Sequence, residues 1–277
     1  MNHAQFRQYF YQSLTQYYSQ SELMEIYHWC VEELHGWNRS TAYAHNAQLL
    51  TETEMNAWNK VIERLKTHEP VQYIFEHAYF RNLELKVTPA TLIPRPETEE
   101  LVQLVLDFET EENLRVMDIG SGSGCIPLSL KQERPSWHVG GMDISEDALA
   151  IAIQNANTLN LDVRFTLFDT LQPDAVLPAC DVVVSNPPYI PQHLLENMDQ
   201  NVKKHEPHLA LFVPDEKPFL FFEAIAQRAM KAGARAVYFE THATEMTELK
   251  ASLSAIWKGK IASHVDLSGK ERFLRLS

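Results

Sequence analysis

The sequence predicts an α/β fold in which a small N-terminal helical domain is joined by a β-hairpin linker to a sheet with helices on both faces. Beyond residue 114, strand-like and helix-like stretches alternate, which is typical of a parallel sheet. Before residue 70 the chain has no proline, and its apolar residues recur at helical spacing. We therefore predict a helical domain of residues 1–70, a linker of residues 71–91 and a main domain of residues 92–277.

The helical domain is predicted from the periodicity of its apolar residues. A second helix is expected between Leu23 and Leu34, before Gly36, and a further helix over Glu52–Lys66. Ser40 or Thr41 is a candidate cap between them. We interpret the aromatic residues as packing between helices rather than as a binding surface. In the first helix, the apolar residues lie mostly three or four positions apart: Phe6, Tyr9, Phe10, Leu14 and Tyr17.

The linker and the segment after it are rich in structural signals. Pro70 ends the helical domain, and stretches such as Phe80–Val87 partly alternate in hydrophobicity, which indicates a β-hairpin. The next segment, Leu92–Leu101, contains two prolines that make its backbone rigid. Within it, Glu97 or Thr98 is well placed near the start of a helix.

The main domain is expected to alternate strands with helices along its whole length. The expected strands are Arg115–Ile119, His138–Met142, Val163–Leu167, Asp181–Ser185, Ala236–Phe239, Ala262–Leu267 and Arg272–Leu276. The expected helices are Cys125–Gln132, Glu146–Thr158, Phe219–Lys231 and Thr244–Ile256.

Composition excludes several classes of protein. The formal net charge of −13 disfavours extended contact with a nucleic-acid backbone. No apolar run approaches the length of about 20 residues that spans a bilayer, so no membrane association is expected. Cys30, Cys125 and Cys180 are far apart and form no Cys-x-x-Cys pair, which predicts buried thiols without a disulfide or a metal site. These features favour a cytoplasmic protein.

A glycine-rich turn predicts a nucleoside site. Residues Gly120–Gly124, with the sequence Gly-Ser-Gly-Ser-Gly, lie between a predicted strand and a predicted helix, where glycines let a ligand approach the backbone. Asp143 follows at the end of the next strand, at the spacing of an acid that receives ribose hydroxyls. A flexible connection is the alternative interpretation of the glycines. The strand, the helix and the acid together favour the ligand site in a Rossmann-like sheet.

The nucleoside that suits this turn carries positive charge. The turn has no Lys-Ser/Thr pair for a triphosphate, and Asp118 just before it favours a cationic amino-acid end. S-adenosylmethionine has both an ammonium and a sulfonium, and its ribose needs an acceptor. Asp169, after the strand 164–168, is at the position of the adenine edge. Alternatively, Asp169 is the cap of a turn or helix.

The chain leaves the sheet at Asn186-Pro187-Pro188-Tyr189, directly after the β-branched run 182–184. Two prolines cannot continue a central strand, so the motif lies at a strand's C-terminal end. The Asn186 side-chain oxygen and the Pro187 carbonyl can each accept one hydrogen of a planar NH2 group, which aims its nitrogen at a methyl donor. Tyr189 can cover the flat face of that group. A simple strand-ending turn is the alternative.

Together these motifs resemble the HemK/PrmC-type protein-glutamine N5-methyltransferases. Asn-Pro-Pro-Tyr is shared with adenine N6-methyltransferases, whereas the Ile93–Glu99 segment is far more specific. The segments that carry the resemblance are Leu92–Glu99, Asp118–Gly124, Asp143–Ser145, Ser185–Ile190, His205–Leu211 and Asp266–Phe273. Two departures lie in the hairpin, where the family usually has glycines and this chain has Glu76 and Asn82. Thr170 stands where the family is often aromatic.

The resemblance implies methylation of the glutamine amide in the Gly-Gly-Gln motif of peptide-chain release factors. It implies S-adenosylmethionine as cofactor, S-adenosylhomocysteine as product, and docking of the release factor by the helical domain. It also implies that Thr170 contacts the cofactor and that Asn186–Tyr189 hold the glutamine. With the residue patterns, the candidate cofactor-binding residues are Asp118, Gly120, Ser121, Gly122, Ser123, Gly124, Asp143, Asp169, Thr170 and Asn186. The candidate substrate residues are Asn186, Pro187, Pro188 and Tyr189, of which Asn186, Pro187 and Tyr189 are candidates for catalysis; no metal ligand is expected.

Two other functions remain open from the residues alone. An adenine N6-methyltransferase acting on RNA or DNA shares the Asn-Pro-Pro-Tyr motif, but the net charge of −13 and the Ile93–Glu99 segment favour a protein substrate. A non-catalytic nucleoside-binding or scaffold module is the third hypothesis. The intact Asn186–Tyr189 motif argues against it.

Overall fold

The computed structural model describes residues 1–242 and 245–277. It divides into two compact units, one of residues 1–77 with 199–205 and one of residues 78–198 with 206–277. No helix among the described residues has the length and apolarity required to cross a membrane. The predicted domain boundaries at residues 70 and 91 stay predictions.

The first unit is a helical bundle whose first four helices begin at side-chain caps. Ser19 and Thr51 each form a capping box with a glutamate three residues later, and Gly36 ends the second helix with a φ of 66°. The expected cap at Ser40 or Thr41 is wrong, because the Asn38 side chain accepts the hydrogen bond from the Thr41 amide. The helices are α1 (His3–Leu14), α2 (Gln20–His35), α3 (Arg39–Ala44), α4 (Glu52–Leu65) and α5 (Val71–Phe75).

Aromatic side chains fill the core of this bundle, as the periodicity predicts. Phe6, Phe10 and Trp58 are fully buried, and the Tyr27 ring stacks on Trp58 with centroids 5.5 Å apart. Tyr9 is the exception, because it remains 41% exposed. Aromatic packing of this kind adds about 0.5–1.5 kcal/mol per pair to the hydrophobic gain.

The hairpin is shorter than the sequence pattern predicts. Residues 71–75, at the start of the predicted linker, form the helix α5, and the hairpin strands are β1 (His77–Phe80) and β2 (Leu83–Lys86). Glu76 adopts the left-handed conformation with a φ of 53°, which glycine accepts more readily than other residues. In the hairpin turn Arg81, and not Asn82, has a positive φ, at 51°.

The second unit is built on a seven-stranded sheet, which confirms the Rossmann-like α/β prediction. Its strands, in chain order, are β3 (Arg115–Ile119), β4 (His138–Asp143), β5 (Arg164–Leu167), β6 (Val182–Ser185), β9 (Ala236–Glu240), β10 (Ile261–Val265) and β11 (Glu271–Leu276). The order across the sheet is β10-β11-β9-β6-β3-β4-β5, and the five strands from β9 to β5 are parallel. The last two strands are antiparallel, because the short turn between them forms a hairpin.

Helices cover both faces of this sheet, as expected. One face packs against α6 (Pro96–Phe108), α7 (Cys125–Glu133) and α8 (Glu146–Leu159), and the other against α10 (Leu220–Ala232) and α11 (Met246–Ile256). The expected start of the last helix at Thr244 lies outside the described residues. Between β6 and α10 lie the two-residue strands β7 (Ile190–Pro191) and β8 (Phe212–Val213), which pair, and the short helix α9 (Gln200–His205).

The strand order creates a crevice between β3 and β6. From β3 the chain builds outward through β4 and β5, then returns to place β6 on the other side of β3. Ligands of open α/β sheets bind at such a switch point, outside the carboxyl ends of the strands. The glycine-rich turn follows β3 and Asn186 follows β6, so both predicted motifs lie at this crevice.

Candidate active site

The glycine-rich turn adopts a backbone that only glycine accepts readily. Gly120, Gly122 and Gly124 have φ angles of 79°, 53° and 82°. A Cβ on Gly120 or Gly122 would meet no atom within 4 Å, so the backbone there is open to a ligand. A Cβ on Gly124 would lie 3.0 Å from Cζ of Phe165, so this glycine serves close helix–sheet packing.

Asp143 holds this turn in place. Its Oδ2 accepts a hydrogen bond of 2.8 Å from the Gly122 amide, and its Oδ1 accepts one of 2.9 Å from the Ser145 amide. The carboxylate therefore links the end of β4 to the turn after β3. Each oxygen has further lone pairs, so the group can still accept hydrogen bonds from a ligand.

Asp169 and Thr170 lie at the same edge, after β5. The Asp169 Oδ1 accepts a hydrogen bond of 2.8 Å from the Leu171 amide, so the carboxylate caps a turn as the alternative interpretation held. Asp169 also lines the cavity described below. Thr170 is buried, and within the described part of the chain its hydroxyl has no hydrogen-bond partner.

Two cavities meet at Asn186 and Pro187. The larger has a volume of about 260 Å³ and is lined by Gly120, Gly122, Asp143, Asp169, Thr170, Asn186, Pro187 and Pro188, together with apolar residues. The smaller, of about 140 Å³, includes Arg95, Asn186, Pro187, Tyr189 and Glu240. Asn186, Pro187, Leu92 and Ala210 line both, so the Asn-Pro pair forms part of the wall that the cavities share.

Four predicted cofactor residues do not line the larger cavity: Asp118, Ser121, Ser123 and Gly124. Ser121 has a structural role, since its hydroxyl accepts from the Met142 amide at 3.0 Å. Asp118 is fully buried, and among residues 1–242 and 245–277 neither of its carboxylate oxygens has a hydrogen-bond partner. Burial raises the pKa of Asp118 to about 7.

No local sequence pattern indicates the contacts that Thr98, Glu240, Arg95 and Glu206 make at the site. Thr98 and Glu240 are buried and hydrogen-bonded to each other at 2.8 Å, and Asn186 donates to Thr98 at 3.3 Å. Arg95 donates to both carboxylate oxygens of Glu206, at 2.6 and 2.7 Å. Thr98 and Arg95 belong to the Leu92–Glu99 segment and Glu206 to His205–Leu211, so segments singled out by the resemblance meet at the site.

Tyr189 lies beside the smaller cavity, and burial raises the pKa of its phenol, which stays protonated at physiological pH.

Cys30, Cys125 and Cys180 are free and buried, which confirms the predicted burial of their thiols. Within the described residues, no group of three or more His, Cys, Asp or Glu side chains is placed to hold a metal ion.

The chain matches two family descriptions and many curated proteins. Residues 5–75 match the PrmC N-terminal domain, and residues 100–205 match the Methyltransferase small domain. The release factor glutamine methyltransferase of Bacteroides thetaiotaomicron is 35% identical over 270 residues, which cover 96% of this chain and 96% of that protein. The protein of the same name from Lactococcus lactis is 36% identical over 244 residues, covering 87% of this chain and 89% of that protein.

Solved structures share the fold at low identity. A methyltransferase from Pyrococcus furiosus aligns with a TM-score of 0.51 at 15% identity, over 78% of this chain and 96% of that one. The human methyltransferase 10 domain containing protein aligns with a TM-score of 0.51 at 16% identity, over 80% of this chain and 95% of that one. At this low sequence identity, these two structural similarities indicate the fold and not the function. The curated relatives match nearly end to end, and we conclude that the chain belongs to the release factor glutamine methyltransferase family.

Proposed function

We propose that this protein transfers a methyl group from S-adenosylmethionine to the side-chain amide nitrogen of the glutamine in the Gly-Gly-Gln motif of peptide-chain release factors. The observation that carries the proposal is the position of Asn186 and Pro187 between two cavities. A methyl donor in the larger cavity and a glutamine amide in the smaller one would meet at these residues. Family membership supports the choice of glutamine over adenine.

The residues of the larger cavity suit S-adenosylmethionine, which when bound supplies a methyl group on a positively charged sulfur. The open backbone at Gly120 and Gly122 would hold the amino-acid end, and Asp143 would accept from the ribose hydroxyls. Asp169 and the unpaired Thr170 hydroxyl would contact the adenine. Asp118 does not line the cavity, but its side chain, which has no hydrogen-bond partner among the described residues, would balance the positive charge of the ligand once ionised.

The Asn-Pro-Pro-Tyr motif would hold and activate the glutamine amide. Its nitrogen is a poor nucleophile, because its lone pair is delocalised into the carbonyl. If Oδ1 of Asn186 and the main-chain oxygen of Pro187 each accept one N–H, they favour the more positive nitrogen that forms as the methyl is transferred. Tyr189, kept neutral by burial, would cover the flat face of the amide.

The release factor is the proposed partner, and the helical unit of residues 1–77 is the proposed docking domain, in line with its match to the PrmC N-terminal domain. A cytoplasmic site of action belongs to the same proposal, because the proposed substrate acts in translation. The net charge of −13 disfavours nucleic acid as the substrate.

Incubation with methyl-labelled S-adenosylmethionine tests the proposal. We expect label on a purified release factor and none on the same factor with its Gly-Gly-Gln glutamine replaced by alanine. Parallel incubations with RNA and DNA test the adenine alternative. Label only on nucleic acid, or on the alanine variant as strongly as on the natural factor, would overturn the proposed substrate. No transfer to anything would point to a non-catalytic module.

A further inference from the structure

A buried hydrogen-bond chain runs from Asn186 to Glu240. The Asn186 Nδ2 donates to Oγ1 of Thr98 at 3.3 Å, and the Thr98 hydroxyl donates to Oε2 of Glu240 at 2.8 Å. Thr98 is 3% exposed and Glu240 2% exposed, so bulk water has little access to these bonds. The carboxylate at the end of the chain lines the smaller cavity.

The fold brings these three residues together from distant parts of the sequence. In the parallel pair β6–β9, Ser185 lies opposite Phe239, so Asn186 and Glu240 are the next residues at the ends of neighbouring strands. Thr98 lies in the first turn of α6, which packs over this part of the sheet. One hydroxyl thus bridges two strand ends.

The donors and acceptors of this hydrogen-bond chain determine whether the nitrogen or the oxygen of the Asn186 side-chain amide faces Thr98. An ionised carboxylate can only accept, so the single hydroxyl proton of Thr98 goes to Glu240. The Thr98 oxygen can then only accept, and it requires an N–H from its other neighbour. Nδ2 of Asn186 must therefore face Thr98, which leaves Oδ1 free for another donor.

We propose that Thr98 and Glu240 are positioning residues that hold the Asn186 amide in the orientation that presents Oδ1 to the substrate NH2 group. This inference rests on the proposed function. In the opposite orientation Asn186 would present its own NH2 group, and two donors would face each other at the reacting nitrogen. The substrate amide would then lose an acceptor that aims it at the methyl group.

When Glu240 is protonated, the hydrogen-bond chain no longer requires Nδ2 of Asn186 to face Thr98. A carboxylic acid can donate to Thr98, whose hydroxyl is then free to donate to Oδ1 of a reversed Asn186 amide. Burial raises the pKa of Glu240 to about 7. The ionisable groups that interact electrostatically with Glu240 are Arg272, Glu97, Arg95, Tyr189 and Cys125. Of these, the cations Arg272 and Arg95 favour the ionised carboxylate. We therefore expect kcat to rise with pH through the neutral range and then level off.

Substitutions of Thr98 test whether its hydroxyl positions Asn186 or only contributes to folding. Thr98→Val keeps the shape but removes the hydroxyl, and we expect kcat for the release factor to fall about 10- to 100-fold. Thr98→Ser restores the hydroxyl and should recover most of the rate. Affinity for S-adenosylhomocysteine, measured by calorimetry, should stay within about twofold in both variants, because neither loses a proposed cofactor contact. Thr158→Val, on the exposed side of α8, is the matched control.

The pH dependence of kcat distinguishes positioning from a purely structural role of Thr98 and Glu240, because a purely structural role would leave it unchanged. Thr98→Val removes the hydroxyl that links Glu240 to Asn186, and Glu240→Gln removes the ionisable group. In both variants the rise of kcat with pH in the acidic range (the acidic limb) should disappear. Glu84→Gln, at an exposed strand position, is the control and should keep it. A Thr98→Val enzyme with the natural kcat, a Thr98→Ser enzyme no better than Thr98→Val, or an unchanged acidic limb in Glu240→Gln would overturn the inference. Absence of transfer by the unsubstituted enzyme would instead overturn the proposed function.

Discussion

Asp143, at the end of β4, accepts a hydrogen bond from Gly122 in the turn after the neighbouring strand β3, at 2.8 Å from Oδ2 to the amide nitrogen. The bond fixes the glycine-rich turn before any ligand arrives. One carboxylate thus shapes the backbone and remains at the cavity wall, where it can accept from ribose hydroxyls.

The first prediction concerns this carboxylate. Asp143→Asn keeps the shape but loses the charge and one acceptor, so affinity for S-adenosylhomocysteine should fall about tenfold or more. Calorimetric titration measures it. Asp147→Asn, at an exposed position on α8, is the matched control and should bind as the natural protein does. Equal affinity in Asp143→Asn and in the control would contradict a ribose-binding role.

The second prediction concerns the pH dependence of stability. The folded protein holds the Asp118 proton up to about pH 7, whereas the unfolded chain releases it near pH 4. Between these values the folded state binds more protons, so this residue makes stability fall as pH rises through that window. Asp118→Asn should remove this contribution and raise the melting temperature at pH 8, by about 2–4 °C for each kcal/mol.

Thermal unfolding across the pH range measures this effect, and binding of S-adenosylmethionine provides a second readout. The asparagine variant should bind the cofactor more weakly while folding more stably above pH 7. Glu240→Gln is a useful comparison, because burial also raises the pKa of Glu240. An Asp118→Asn protein less stable than the natural one at pH 8 would show that the carboxylate is satisfied in the folded state.

The third prediction concerns the Arg95–Glu206 pair. The Glu206 side chain has no exposed surface, while that of Arg95 is 35% exposed. Arg95→Met leaves a buried carboxylate unpaired and should cost about 2–3 kcal/mol, below the range for a fully buried pair. Lys250→Met breaks the more exposed pair with Glu271 and should cost less than about 1 kcal/mol. Urea denaturation compares them; equal losses would mean that burial of Glu206 adds nothing.

The fourth prediction separates backbone strain from crowding at glycine. Gly124 and Gly233 have nearly equal φ angles of 82° and 81°, but only a Cβ on Gly124 would meet neighbours, among them Leu128 Cδ1 at 3.1 Å. Gly233→Ala should cost about 1–2 kcal/mol for the left-handed backbone. Gly124→Ala should cost more, because Phe165 and Leu128 must move. Equal free energies of unfolding for the two variants would exclude the packing role of Gly124.

The sequence predicted the parts of the fold and site whose signal is local. Strand β6 is a short β-branched run and β3 is a short, mostly apolar segment, and the turns after them carry proline or glycine, so their positions follow from neighbouring residues. The contacts of Thr98 with Glu240 and of Arg95 with Glu206 join residues 142 and 111 positions apart, which no local pattern reveals. The sequence predicts that Glu97 or Thr98 lies near a helix start, and Thr98 does lie there, but its hydroxyl accepts a hydrogen bond from Asn186 and donates one to Glu240. The helix Val71–Phe75 was missed because five residues are too few to show a period.

We propose that Asn186 holds the amide that receives the methyl group. Labelled methyl transfer by Asn186→Ala to a release factor, together with its affinity for S-adenosylhomocysteine, tests this claim most directly. We expect turnover to fall about 100-fold or more, as for loss of a transition-state hydrogen-bond partner, while the affinity for S-adenosylhomocysteine changes by less than about threefold. Turnover close to that of the natural enzyme, or a loss of affinity as large as the loss of turnover, would contradict it.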